Sequence, residues 1–198
     1  MKQVLMTIAL MALVLNVSGQ GYEPGDKAMD FELKNVDGTT VSLSDYPDAK
    51  GFIVVFTCNH CPYSQAYEKR IMKLDQKYSD KGYPVIAINP NDPKAYPEDS
   101  FENMKKRAAD KGYTFPYLVD ETQEIARTYG AKRTPHVFLL NKEGGEHIVR
   151  YIGAIDDNSH NPEAVSETYV ADALTALMND NPVEVKKTKA VGCGIKWK

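Results

Sequence analysis

Cysteine is scarce in this chain, three among 198 residues, and tryptophan occurs once. Three sulfurs cannot supply the dense cross-linking on which small secreted scaffolds depend. Basic blocks are also missing. The 24 Lys and Arg against 27 Asp and Glu leave a formal charge of −3, without the electrostatic footprint of a nucleic-acid binder. Past the first residues, no apolar run approaches the roughly 20 residues that cross a bilayer. Neither an internal repeat nor a low-complexity block occurs. These absences leave an ordinary α/β-sized globular chain whose few sulfurs carry most of the functional information.

The start of the chain has its own character. Lys2 gives a positive beginning, Val4 to Leu15 is almost wholly apolar, and Val17-Ser18-Gly19 ends in small residues. This is the shape of a secretory signal peptide over residues 1–19, too short for a membrane anchor and with no cysteine close behind for lipidation. The expected product is exported to the periplasm or another extracytoplasmic space, with no membrane span in the mature chain. It comprises one domain over 20–180 and a C-terminal tail over 181–198 without clear periodicity. In an oxidising compartment, an odd cysteine count implies one pair plus a leftover thiol or an intermolecular link.

Hydropathy periods outline the domain. Met29 to Leu33 leads into the turn Asp37-Gly38 and a returning strand Thr39 to Leu43. Phe52 to Phe56 is a continuous apolar run that suits a central strand covered on both faces. Tyr63, Tyr67, Ile71, Leu74 and Tyr78 then recur at helical spacing, with Glu68, Lys69, Lys73 and Lys77 outside the stripe. Tyr83 to Ile88 is a second buried strand, and the βαβ order predicts a parallel pair. After a proline-rich loop, Asp99 and Glu102 resemble a capping box opening a helix to about Gly112. Phe115 to Val119, a helix from about Glu121, a hairpin of Val137–Leu140 and His147–Gly153 about Gly144-Gly145, and a helix using Val165 to Leu177 complete the outline. Asp156, Asp157 and His160 read as a solvated turn rather than a metal loop.

Cys58-Asn59-His60-Cys61-Pro62 lies where the buried strand gives way to the helix. Free amides and the helix dipole favour a thiolate there, and the thiolate is the reactive species. Two sulfurs three residues apart across the first turn can also close a small disulfide, one attacking and the other releasing the adduct. Redox use is the leading reading, with a structural bridge or half a zinc site as alternatives. Cys193 and the scattered histidines do not complete a zinc pattern, and Pro62 stands where haem attachment needs histidine. His60, between the sulfurs, is either a stabiliser of the Cys58 thiolate or a loop histidine without a role. Thr134-Pro135, between a helix and a strand, offers no backbone donor at the proline.

This order of elements resembles the thioredoxin-fold superfamily, and more narrowly the peroxiredoxin-like branch of the AhpC/TSA family. The resemblance rests on Phe52 to Pro62, Thr134-Pro135, Asn89-Pro90-Asn91-Asp92, Phe115-Pro116-Tyr117-Leu118, Tyr151-Ile152-Gly153 with Asp156-Asp157-Asn158, and Gly192 to Trp197. It implies a central mixed β-sheet flanked by helices, with an N-terminal β-hairpin extension. It also implies a cis Thr134–Pro135 bond facing the cysteines, an exposed attacking Cys58 and a buried resolver Cys61. Strand addition of a substrate peptide on Thr134 follows from the same fold. Peroxiredoxins place threonine three residues before the peroxide-reactive cysteine; if Cys61 matches it, Cys58 takes that place, and Arg133 is the candidate cation near the sulfur.

The expected activity is therefore thiol–disulfide exchange without a cofactor or bound metal, on protein or small-molecule thiols and disulfides, with a recycling reductase or oxidase. The alternatives are a thiol peroxidase and a non-catalytic module holding a partner or Cu(I) through His60, Cys58, Cys61 and Cys193. Cys193 is either a third redox thiol or a buried thiol in a docked tail.

Overall fold

The computed structural model describes residues 21–198, so the leader read in residues 1–19 lies outside the described residues. Short strands β1 (Lys27–Ala28) and β2 (Leu33–Asn35) come first, and β2 turns into β3 (Thr40–Val41). Gly38 holds φ at +92°, the left-handed backbone a tight turn uses, and Asp37 accepts the Thr39 amide at 2.8 Å. Next come β4 (Gly51–Phe56), α1 (Pro62–Tyr78), β5 (Val85–Asn89), α2 (Phe101–Lys111), β6 (Tyr117–Val119) and α3 (Glu124–Tyr129). A two-residue strand β7 (Arg133–Thr134) precedes the hairpin β8 (His136–Glu143) and β9 (Glu146–Gly153). The chain ends with α4 (Tyr169–Met178) and β10 (Cys193–Gly194).

One mixed sheet runs in the order β1-β9-β8-β4-β5-β6-β2-β3, and β10 pairs separately with β7. β4, β5 and β6 are parallel, while β8 is antiparallel to β4. The β2–β3 hairpin extends the sheet at the β6 edge. Side chains of β4 alternate between two cores. Phe52, Val54 and Phe56 pack with Phe138, Ile125 and Tyr129 on the α3 side. Ile53 and Val55 pack with Tyr67 and Ile71 of α1, Met104 of α2 and Leu174 of α4 on the other. Helices cover both faces, so β4 and β5 are apolar throughout rather than alternating.

Most differences from expectation are polar. Glu68, expected outside the stripe of α1, is buried against Arg107 and the Tyr113 hydroxyl. No capping box opens α2: its N-cap is Ser100, without a side-chain hydrogen bond, and the Asp99 carboxylate points elsewhere. α3 starts at Glu124 because Gln123 takes φ +64°, and α4 starts at Tyr169 rather than near Val165. Asp156 is buried on Arg70 and Tyr67, not solvated. The tail is packed: Lys187 bridges to Ile152, and Ile195 is buried in the α3-side core.

Candidate active site

The loop between β4 and α1 carries the cysteines, and the helix start decides which sulfur gains from it. α1 begins at Pro62, whose missing N–H would be unpaired at a first helical position anyway, so Cys61 is the N-cap. Cys58 lies upstream in the loop, and Ser64 occupies the first turn. The pair therefore does not straddle the first turn as expected; Cys61 alone sits at the positive end of the helix. Nor is Cys58 exposed. Its relative exposure is 3% and that of Cys61 is 0%.

β7 closes the pocket from the far side. The Thr134–Pro135 peptide is cis, and Thr134 is buried. The Cys61 thiol donates to the Thr134 carbonyl at 3.2 Å, and Cys58 Sγ lies 3.1 Å from Thr134 Oγ1 and 3.8 Å from Ser64 Oγ. The Cys58 thiol, donating to Cys61, is the main influence that lowers the latter below the ordinary thiol range; burial opposes this, while the Cys193 thiol and the Ser64 and Cys193 amides assist. Cys58 is driven upward by that same bond, by burial and by the charge of Asp99. The helix start likewise favours the charged form at Cys61 over Cys58.

Asp99 organises the opposite wall. Its carboxylate accepts the Asn59 amide at 2.6 Å, His60 Nδ1 at 2.5 Å and Asn91 Nδ2 at 2.8 Å. His60 is thereby tied to a carboxylate and stacked on Tyr96 at 3.9 Å between centroids. Donor atoms of Cys58, His60 and Asp99 all lie within 4.8 Å of one another. That triplet has metal-binding atom types, but His60 and Asp99 already satisfy each other. Sequence reading spent Asp99 on a helix cap and so missed it. A usable signal existed: Asn89 ends β5, a strand parallel to β4, Asn91 and Asp99 follow it, and sites gather at the carboxyl ends of parallel strands.

Arg133, expected beside the reactive sulfur, is exposed and donates to the Gly192 carbonyl at 3.3 Å; the sulfur it favours electrostatically is Cys193. Cys193 itself, half-buried on β10, pairs with Thr134. Burial, then its hydrogen bond to Cys61, pushes its thiol up to about 11. Thus Cys58, His60, Cys61, Thr134, Pro135 and Cys193 converge, whereas Arg133 acts on the tail.

A cysteine at a helix start facing a cis-proline strand, on a mixed sheet covered by helices, defines a thioredoxin-like α/β fold. Residues 24–152 match the AhpC/TSA family, and the chain belongs to it. A crystal structure of an uncharacterized conserved protein from Geobacillus kaustophilus aligns with a TM-score of 0.82 and 40% identity, covering 89% of this chain and 93% of that one. A hypothetical protein from Sinorhizobium meliloti 1021 gives 0.82 and 32%, covering 90% and 96%. The thiol-disulfide oxidoreductase ResA of Halalkalibacterium halodurans is 27% identical over 121 residues, 61% of this chain and 64% of its own length. This chain therefore spans less than two thirds of that relative. Among the described residues, no helix is long and apolar enough to cross a membrane.

Proposed function

We propose that the protein is an extracytoplasmic thiol–disulfide oxidoreductase in which Cys61 attacks and Cys58 resolves. One observation carries this reading: Cys61 is the helix N-cap, whereas Cys58 lies upstream in the loop. The Cys61 thiolate attacks a substrate disulfide, forming a mixed disulfide and expelling one substrate thiolate. Cys58 then loses its proton to the His60–Asp99 pair and attacks Cys61 Sγ, closing Cys58–Cys61 and releasing the second substrate thiolate. Two electrons pass from the protein dithiol to the substrate. A recycling reductase restores the dithiol; with an oxidase as partner, the same steps run in reverse. Homology to a named thiol-disulfide oxidoreductase supports this chemistry, and the signal-peptide pattern read in residues 1–19 supports the location. The thiol peroxidase reading is weaker because Arg133 is engaged by the Gly192 carbonyl.

Insulin reduction with an added dithiol tests the assignment. Cys61→Ser is expected to abolish catalysis, and the Cys58→Ser, Cys193→Ser double variant to trap the mixed disulfide on Cys61. Wild-type activity in Cys61→Ser would overturn the proposal.

A further inference from the structure

The strand edge that a substrate peptide would use is already occupied. β10 runs antiparallel to β7, with Cys193 opposite Thr134 and Gly194 opposite Arg133. Its placement is built rather than incidental. Asn91 Oδ1 accepts the Lys196 amide at 2.8 Å, and Gln123 Nε2 donates to the Lys196 carbonyl at 2.8 Å. The Asp92 amide donates to that carbonyl at 2.9 Å, and Arg127 lies over the Trp197 ring at 4.3 Å. Asn91 also holds Asp99, so one side chain spans the tail and the cysteine loop.

At Gly192 the approach is so close that a Cβ would lie 2.2 Å from the Thr134 carbonyl oxygen. Backbone contact this tight brings the next residue, Cys193, to the site of Cys61: Cys193 pairs with Thr134, whose carbonyl accepts the Cys61 thiol at 3.2 Å. A cysteine on an extended strand, beside an attacking sulfur, is the arrangement of a substrate about to exchange.

We propose that Gly192–Gly194 occupies the docking edge of a substrate strand and that Cys193 is a second resolving thiol for Cys61. The substrate class is then an extended polypeptide segment whose cysteine follows a glycine, since a larger residue before the sulfur meets the Thr134 carbonyl. In the step itself, Cys61 held in a mixed disulfide is attacked by the Cys193 thiolate. The Cys61–Cys193 bond forms as the substrate thiolate leaves, and the Cys193 proton passes to solvent. The substrate disulfide is the oxidant. The inference rests on Cys61 being the attacking sulfur.

The test uses full-length Cys58→Ser protein and an aromatic disulfide whose released thiolate is coloured. About two thiolates per chain are expected, one for each exchange, with non-reducing peptide mapping finding Cys61 joined to Cys193. The Cys58→Ser, Cys193→Ser double variant is expected to release about one and keep the aryl group on Cys61. An aryl group retained on Cys61 in the single variant, with Cys193 free, would overturn this inference and leave Cys61 as the attacker. An unreactive Cys61 in every variant would overturn both readings. Adding Gly192→Val to Cys58→Ser is expected to slow the second release by about tenfold relative to the first, by removing the tethered approach. Equal slowing of both releases would count against strand docking.

Discussion

Two aspartates are buried to similar depth, one in a segment that reads as a solvated turn and one at an expected helix cap, yet their surroundings differ in kind. Asp156 meets Arg70 Nη1 at 2.6 Å and the Tyr67 hydroxyl at 2.8 Å, and Arg70 also donates to the carbonyls of Asn158 and Ser159. That corner ties α1 to the loop after β9 with a fixed cation. Asp99 is held by amides, asparagines and His60, groups that orient it without a fixed cation. Burial alone does not separate a structural carboxylate from a chemical one; the donor set does.

The largest expected effect breaks the structural member. Arg70→Met leaves Asp156 buried without its cation and should cost about 3–5 kcal/mol, read from denaturant midpoints. Thiol-exchange rates per folded molecule should stay unchanged; a parallel fall would erase the distinction between the corners.

A third buried titratable group sharpens the contrast because it lacks a charged partner. His136, next to the cis-proline, is pushed down to about 4 by burial first and then by Lys132 and Lys187. The folded state therefore resists protonation that the unfolded chain accepts below its ordinary value near 6.5. The stability this confers is complete above that value and is lost as the pH falls towards about 4, a span of about 3 kcal/mol. Urea unfolding across that window should show the slope, and His136→Asn should flatten it.

The smallest effect in free energy falls on the chemical member. Asp99→Asn should slow collapse of the mixed disulfide in the otherwise wild-type protein by at least about tenfold, near 1.4 kcal/mol of barrier. Because Asp99 raises Cys58, alkylation of Cys58 in a Cys61→Ser background should also move to lower pH. A merely structural aspartate would leave that profile in place.

Apolar patterning made β4, α1, β5 and the β8–β9 hairpin legible, and the cysteine motif together with Thr134-Pro135 pointed to two of the segments that meet there, but not to Asp99 on the opposite wall. Its resolution ended within a single helical turn. Pro62 can begin a helix as readily as it can follow a redox motif, and that ambiguity left open which of Cys58 and Cys61 would cap the helix. Glu68 shows the same limit: its place outside the apolar stripe said nothing of Arg107 waiting on α2 to receive it.

Residue order by itself determined the layers, because alternation and helical spacing record which faces must leave water, and that is a local property of the chain. Tertiary structure alone decided that Asp99 serves His60 across 39 residues, that Arg133 turns to the tail, and that Cys193 lies against Thr134. Hydrogen-bond partners are chosen by apposition in space, and a polar side chain carries no periodic mark of the distant group that will satisfy it.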